Sequence, residues 1–392
     1  MVKQKVIALV DCDSFFVSCE QKRNIQLKGK PVCVMSNEKG CVISRSREAK
    51  QIGVRMGEPY FMCEKEHPDA VYIVADHEYY SKVSSQIMSV LKDFSPYVQV
   101  YSIDEAFVDL TGLTRLYKCN YFDLAVYLRT KILDEVDIPV SIGVAATKIL
   151  AKLASDKSKS KPKGVYMIGR RKAMKELKNT NIEEIWGIGR RLTKALKRYG
   201  ILTAFELVQK TDDWLDKRLG IHGIEMKHEL LSKMVSEVSN DEKAPKSIQN
   251  SRAFGIFTSD YNFIKNELNR HIHTSCRKLR SYDTKCLQIG VMLRTKDFRV
   301  FYTKKDLLAP VDFELEIAKV AHKLLDEIYN PEILYRSTGV CLSKIAEVSV
   351  EQLSLYSDNN EEERKANLAK CFDKLEARFG KNIVQTGFSK PK

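Results

Sequence analysis

Three carboxylates at two distant places in the chain are set where they could share one task. Asp11 ends the apolar run VIALV at 6–10, a buried-strand pattern, and Asp104 with Glu105 stands where the β-rich runs of YVQVYSIDEAFVDLTG meet. Bare carboxylates brought together repel, and divalent cations relieve that repulsion while leaving sites for phosphate oxygens. Two ions about 3.5–4 Å apart can activate one oxygen and neutralise another across an in-line displacement. Successive residues of a regular strand point to opposite faces, so Asp104 and Glu105 reach one site only from a hairpin end or a distorted strand. The same DxD and DE spacings also occur in ordinary surface turns, and Asp13 can bind locally or support the insert that follows.

Phe15 and Phe16 follow the first acids directly. Paired aromatics are usually core residues, yet a ring beside a metal-bound triphosphate would meet the sugar and exclude a 2′-hydroxyl by bulk. The segment SRSREAK offers Ser44, Arg45, Ser46, Arg47 and Lys50 for a triphosphate, Arg by bidentate contact and Lys as a mobile point charge; its alternative is a solvated helix start. DKSKSKPKG adds Lys157, Lys159, Lys161 and Lys163 beside a turn, as a substrate clamp or a generic basic loop. IWGIGRRLTKAL reads as a helix-hairpin-helix: Gly187 and Gly189 permit a tight turn that turns backbone amides toward a phosphate, with Arg190, Arg191 and Lys194 beside it. RLGIHGIE is a weaker second turn or a plain helix junction.

The elements that must hold these groups follow from periodicity. Tyr80, Val83, Ile87, Leu91 and Phe94 form one helical stripe, and Phe122, Ala125, Leu128, Ile132 and Val136 another. With the strands at VIALV, the two runs around Asp104 and VSIGVA, the order is βαββαβ, interrupted by a compact insert at 26–75. Short helices fill 181–235, the polar stretch 236–250 suits a surface linker, and a second βαββαβ order follows, a two-layer α+β domain. Arg252, Lys285, Arg294, Lys296, Arg299, Lys304, Lys305, Arg336 and Lys344 alternate through its strands, a basic face or a solvated one. Beyond it, Gln352, Leu353, Ser354, Leu355 and Tyr356 form a peptide that either enters a partner or packs on its own domain, and a helix is expected at 361–379.

The 392 residues, 44% apolar, supply cores for about three domains and exclude general disorder. A net charge of +14 suggests a polyanionic partner. The surplus is local, with fifteen Lys/Arg against four Asp/Glu in 152–198. Ten cysteines form no CxxC pair and seven histidines no zinc-ligand spacing, so no structural zinc is expected. No apolar run suits export or membrane insertion, and the cysteines read as reduced, in a cytoplasmic protein.

Together VDCDSFFVSCE, KPVCVMSNEKGCVISRSREAKQIGVRMG, YSIDEAFVDLTG, SIGVAATKILAKLASDK, WGIGRRLTKAL and RSTGVCLSKI resemble the Y-family DNA polymerases, specifically the bacterial subgroup of UmuC, the polymerase V catalytic subunit, and its UvrX-like relatives. The resemblance implies an α+β multidomain right-hand polymerase: a catalytic palm at 1–25 and 76–170, small fingers at 26–75, and a helix-hairpin-helix thumb at 171–240. A linker at 241–250, a little finger at 247–348 and a C-terminal tail at 349–392 complete it. It further implies template-directed translesion DNA synthesis during DNA damage, with two Mg²⁺ ions, or Mn²⁺ in their place, on Asp11, the Cys12 carbonyl, Asp104 and Glu105. Phe16 corresponds to the steric gate. Phe15, Ser44, Arg47, Lys50, Lys159 and Lys161 belong to the triphosphate side; the family often has Tyr and Arg where Arg47 and Lys50 stand, and the equivalence is open between Lys159 and Lys161. Gly187, Gly189, Arg190, Arg191, Lys194, Arg252, Arg294, Lys296 and Arg336 are the expected DNA contacts. Gln352, Leu353, Leu355 and Tyr356 match sliding-clamp peptides, which commonly end in Phe, and accessory SOS proteins join primer-template DNA and deoxynucleoside triphosphates as partners. A non-catalytic DNA-binding repair scaffold would need the basic patch and hairpin but not the carboxylates; a nucleotidyl cyclase would need the carboxylates but neither the hairpin nor the basic C-terminal domain.

Overall fold

The first apolar run forms β1 (Ile7–Cys12), and its alternation feeds two cores at once. Ala8, Val10 and Cys12 join an apolar cluster on one side of the sheet, while Ile7 and Leu9 join a second cluster on the other. The computed structural model describes residues 5–38, 40–240, 244–347 and 359–379. They divide into two units, Met1–Asp241 and Glu242–Lys392. Among the described residues, no helix is long and apolar enough to cross a membrane.

In the first unit the insert supplies β2 (Val32–Met35), β3 (Val42–Arg45) and β4 (Val71–Val74), a separate small sheet in the order β3-β2-β4. The main sheet adds β5 (Val98–Val100), β6 (Glu105–Asp109), β7 (Val140–Ala145) and β8 (Val165–Ile168) to β1, in the order β5-β6-β1-β7-β8. Helices His77–Phe94 and Tyr121–Val136 cover one face with the expected stripes, Tyr80 to Phe94 and Ala125 to Val136. Asp76 and Asn120 cap their N-termini by accepting backbone amides. Helix Lys148–Ser158 covers the other face, so closely that a Cβ on Gly143 would meet the backbone nitrogen of Ser155 at 2.0 Å. The helical stretch after it does not keep a core to itself: Leu196, Leu207, Leu215 and Leu230 share one cluster with Ile7, Leu9 and Phe107.

The second unit realises the second βαββαβ order. β9 (Ser247–Thr258), β10 (Thr284–Thr295), β11 (Val300–Val311) and β12 (Tyr335–Glu347) form an antiparallel sheet in the order β11-β10-β12-β9. Helices Tyr261–Arg280 and Glu314–Ile328 bury Ile289, Val291 and Leu293 against one face. Gln288, Met292 and Arg294, of the opposite parity, look out from the other face. The last described helix, Asn359–Phe379, lies against Tyr261–Arg280: Arg280 grips Asp373 through Nε and Nη2 at 2.7 and 2.8 Å, and Arg277 meets Glu376 at 2.9 Å.

Candidate active site

Antiparallel pairing sets Asp11 of β1 opposite Glu105 of β6 and opposite Ser141 of β7. Asp11 shares the parity of Ile7 and Leu9, and Glu105 that of Phe107, so both carboxylates belong to the face under helix Lys148–Ser158. That helix answers with cations. Lys152 Nζ lies 3.2 Å from Asp11 Oδ2 and also bonds Glu105, and Lys159 Nζ lies 3.1 Å from the same Asp11 oxygen.

Asp104 reaches the site from a hairpin end. β5 stops at Val100, the amides of Tyr101 and Ser102 both donate to the Glu105 carbonyl at 3.0 and 3.1 Å, and regular pairing resumes only at Glu105. The Cys12 amide donates to the Asp104 carbonyl at 3.0 Å and fastens this turn to β1. The objection to two adjacent acids in a regular strand is thus met by a turn in which Asp104 sits outside the strand.

The ionisation of the cluster is mutual. Burial works to raise Asp11, but the hydrogen bond with Glu105 and the charges of Lys159 and Lys152 outweigh it and hold the carboxyl below its usual range. Glu105 is raised by burial and by Asp11, with Lys152 opposing. Burial opposes the charge on Lys152, yet Glu105 and Asp11 raise its pKa overall. Asp13 is raised chiefly by burial, and it accepts the Ser141 hydroxyl at 2.7 Å, a supporting position beside the cluster.

Among the described residues no three His, Cys, Asp or Glu side chains converge on a single point. The cause is local: Asp104 is turned to the Ser102 hydroxyl at 2.5 Å, and Lys152 stands between Asp11 and Glu105. The donor set still fits a hard divalent cation. It is all oxygen, two of its carboxylates face each other across neighbouring strands, and an ammonium already stands between them as a positive charge must.

These groups floor a cleft of about 880 Å³ whose lining includes Asp11, Cys12, Phe15, Phe16, Ser44, Arg47, Lys50, Asp104, Glu105, Arg129, Lys152 and Lys159. Phe16 stacks on Tyr80 with ring centroids 4.7 Å apart and an interplanar angle of 18°, and the Tyr80 hydroxyl donates to Glu20 at 2.7 Å. From the insert, exposed Arg47 and Lys50 belong to helix Arg47–Gln51, while its cap Ser46 is buried and spent on the Ala49 amide and the Lys30 carbonyl. Arg45 is likewise engaged, donating to the Val54 carbonyl. Of the two lysines left open by sequence, Lys159 lies in the cleft; Lys161 lies over the Tyr166 ring, 5.3 Å from its centroid, and is not among the lining residues.

The remaining candidates are spread over both units. Gly187 has φ +95, a left-handed conformation that suits glycine, and Gly189 caps helix Arg190–Arg198, on which Arg190, Arg191 and Lys194 are exposed. Arg294 and Arg336 occupy one end of the second unit's sheet with Lys296 in the adjacent turn. Arg252 belongs with Asn250 on the helix side of edge strand β9, where burial, followed by the charges of Arg252 and Arg270, depresses His271. Gln352, Leu353, Leu355 and Tyr356 lie outside the described residues.

The sequence offers Tyr80 only as part of a helical stripe and singles out neither Lys152 nor Arg129. Lys152 carried a signal: it interrupts the apolar stripe of Ile149 and Leu153, a charge on a face that otherwise packs. Arg129, whose Nε donates to the Val140 carbonyl at 2.9 Å, carried none.

The geometry meets its counterparts among known proteins. The sequence profile of the impB/mucB/samB family matches residues 10–156, and that of the same family's C-terminal domain matches residues 245–355. The UmuC protein of Salmonella typhimurium is 33% identical over 97% of this chain and 92% of its own length. The chain belongs to the impB/mucB/samB family of Y-family DNA polymerases. DNA polymerase IV 1 of Halalkalibacterium halodurans is 30% identical over 99% of this polymerase and 94% of its own length. Among solved structures, a Y-family DNA polymerase chimera covers 87% of the chain with TM-score 0.72, 27% identity and 99% of its own length. An insertion ternary complex of Dbh DNA polymerase covers 87% with TM-score 0.61, 26% identity and 99% of its own length. Membership makes the chain a nucleotidyltransferase that synthesises DNA on a template and tolerates damage in it.

Proposed function

We propose that this polymerase adds deoxynucleotides to a primer 3′-hydroxyl at the Asp11, Asp104 and Glu105 cleft, with Mg²⁺ as the divalent ion, two per site, and Mn²⁺ as a substitute. Asp11, Asp104, Glu105 and the Cys12 carbonyl hold the ions. When bound, these supply Lewis acidity to the 3′-hydroxyl and charge balance for the departing pyrophosphate. The reading rests most on one observation: Asp11 and Glu105 face each other across paired strands with Lys152 between them, in a cleft rimmed by Arg47 and Lys50.

The chain's own side chains do the rest. Arg47, Lys50, Lys159 and Ser44 orient the triphosphate, by charge-assisted hydrogen bonds from Arg and point charge from Lys. Phe16, braced by Tyr80 and Phe15, takes the space of a ribose 2′-hydroxyl. Residues 1–25 and 76–170 act as palm, 26–75 as fingers, 171–240 as thumb and 247–348 as little finger. The turn at Gly187 and Gly189 with Arg190, Arg191 and Lys194 binds duplex backbone, and Arg294, Lys296 and Arg336 hold DNA on the second unit. By sequence likeness, Gln352, Leu353, Leu355 and Tyr356 bind a sliding clamp.

Primer extension by the wild-type protein, D11A and D104A tests the assignment. Incorporation is expected only from the wild type with Mg²⁺ present; equal extension by either variant overturns it.

A further inference from the structure

At one end of the second unit's sheet, two aromatic side chains stand exposed where no core requires them. Phe298 is 64% exposed in the turn between β10 and β11, and Phe257 is 51% exposed near the end of β9. Phe298 carries φ +68, a conformation that bulky residues rarely adopt, so its placement is imposed by the surrounding turn. That turn is well built: the Phe298 amide donates to the Thr295 carbonyl at 3.0 Å, the Thr295 amide to the Arg299 carbonyl at 2.9 Å, and Asp297 binds both Thr295 and Arg299. Phe257 belongs to residues 254–257, a bulge opposite the lone Arg336 of β12.

Each ring is backed by a cation. The Arg336 guanidinium carbon lies 3.9 Å from the Phe298 centroid, and Lys296 Nζ lies 5.4 Å from that of Phe257. Arg294, one residue before the turn and paired with both Val300 and Ser337, has its Nε buried without a hydrogen-bond partner among the described residues. The acid of the turn, Asp297, is engaged by Arg299, which leaves the cluster cationic.

We propose that Phe298 and Phe257 form a stacking site for unpaired bases of single-stranded DNA. Bases lie on the rings, and Arg336, Lys296 and Arg294 meet the phosphates. Stacking explains what phosphate contact alone does not: why two apolar rings are held in water, one against its backbone preference, with positive charge behind them. A second protein copy would meet concentrated positive charge on both sides; a single strand brings π faces and phosphates together. The inference rests on the polymerase reading for its ligand being DNA, and extends it to a strand that is not base-paired.

The test is fluorescence anisotropy of the full chain with a labelled oligothymidylate, an abasic strand and a duplex of the same length. F298A and F257A are each expected to weaken oligothymidylate binding roughly tenfold, with duplex binding held within about twofold. F298W retains binding, and the wild type binds the abasic strand about as weakly as F298A binds thymidylate. R336A lowers the salt dependence by about one charge on every ligand. Unchanged oligothymidylate binding in F298A and F257A overturns the site, as does an equal loss on duplex. Because binding is measured, these failures are separate from failure of the wild type to extend a primer, which would overturn the polymerase reading alone.

Discussion

The two main sheets of this polymerase are built from the same βαββαβ order and are buried in different ways. In the first unit β1 is buried along its whole length, with one apolar cluster on each face. Such a sheet can show polar side chains only at its ends, and there Asp11, Asp104 and Glu105 stand. The second sheet is covered on one face only, so β10 alternates Ile289, Val291 and Leu293 inward with Met292 and Arg294 outward. A sheet closed on both faces concentrates chemistry at a point; a half-open sheet spreads a binding surface. The charges follow: acids meet lysines inside the first, and Arg336 and Lys296 meet exposed rings on the second.

The contrast can be broken at several places. On the proposed reading, losing Asp11 or Asp104 removes a ligand for the ions, and it is expected to cut incorporation about a thousandfold or more, read as single-turnover extension. Chelation by EDTA should match it, with activity returned by Mg²⁺.

The central glycines sharpen the difference next. G143A places a methyl against the backbone of Ser155 and Ala151, which cannot give way, and should cost about 3 kcal/mol in denaturant unfolding of the first unit. G290A in the second sheet meets first the hydroxyl end of the half-exposed Tyr302 ring, the far end of a side chain, and should cost less than about 1 kcal/mol. Equal costs would mean that the second face is covered too.

F16A is expected to admit ribonucleotides roughly tenfold or more over the wild type, measured as the ratio of kcat/KM for matched ribo- and deoxynucleotides. The smallest effect is one of pH. His273 lies between Glu314 at 2.8 Å and Glu376 at 3.0 Å, and the bond to Glu314, against burial, raises its pKa. Its stabilisation of helix Asn359–Phe379 is therefore complete below the ordinary histidine value of about 6.5 and is lost as pH rises through the higher folded value. The protection factors of amides in that helix, exchange rates corrected for the intrinsic base-catalysed rise, should fall from pH 6 to pH 8.5 in the wild type, and H273Q should remove that fall.

Much of this was legible in residues. Tyr80 to Phe94 and Leu128 to Val136 announce their helices because each packs one stripe on one sheet face, and the apolar run before Asp11 announces a buried strand. That Asp11 and Glu105 meet was legible because each stands where an apolar run ends, although the same spacings also occur in surface turns. Lys152 was obscured because its partners lie 47 and 141 positions away, a relation fixed by strand pairing and not by local spacing. Where Lys159 and Lys161 point depends on the helix end itself, which turns the first toward Asp11 and the second onto Tyr166. The shared core of the 196–230 helices was hidden for a similar reason: periodicity names a buried face but not what buries it.

The irregular strands at the borders of the second sheet have one more effect. Residues 254–257 crowd against Arg336 on β9, and residues 307–310 crowd against Leu287 on β11, so both outermost strands of this sheet lose their straight run of amides and carbonyls. Lys304 and Lys305 put charge on the second of these borders. An open sheet with apolar groups on display would otherwise recruit further strands and grow into fibres; kinked at both borders, it can offer its face to a ligand without offering its rim to a copy of itself.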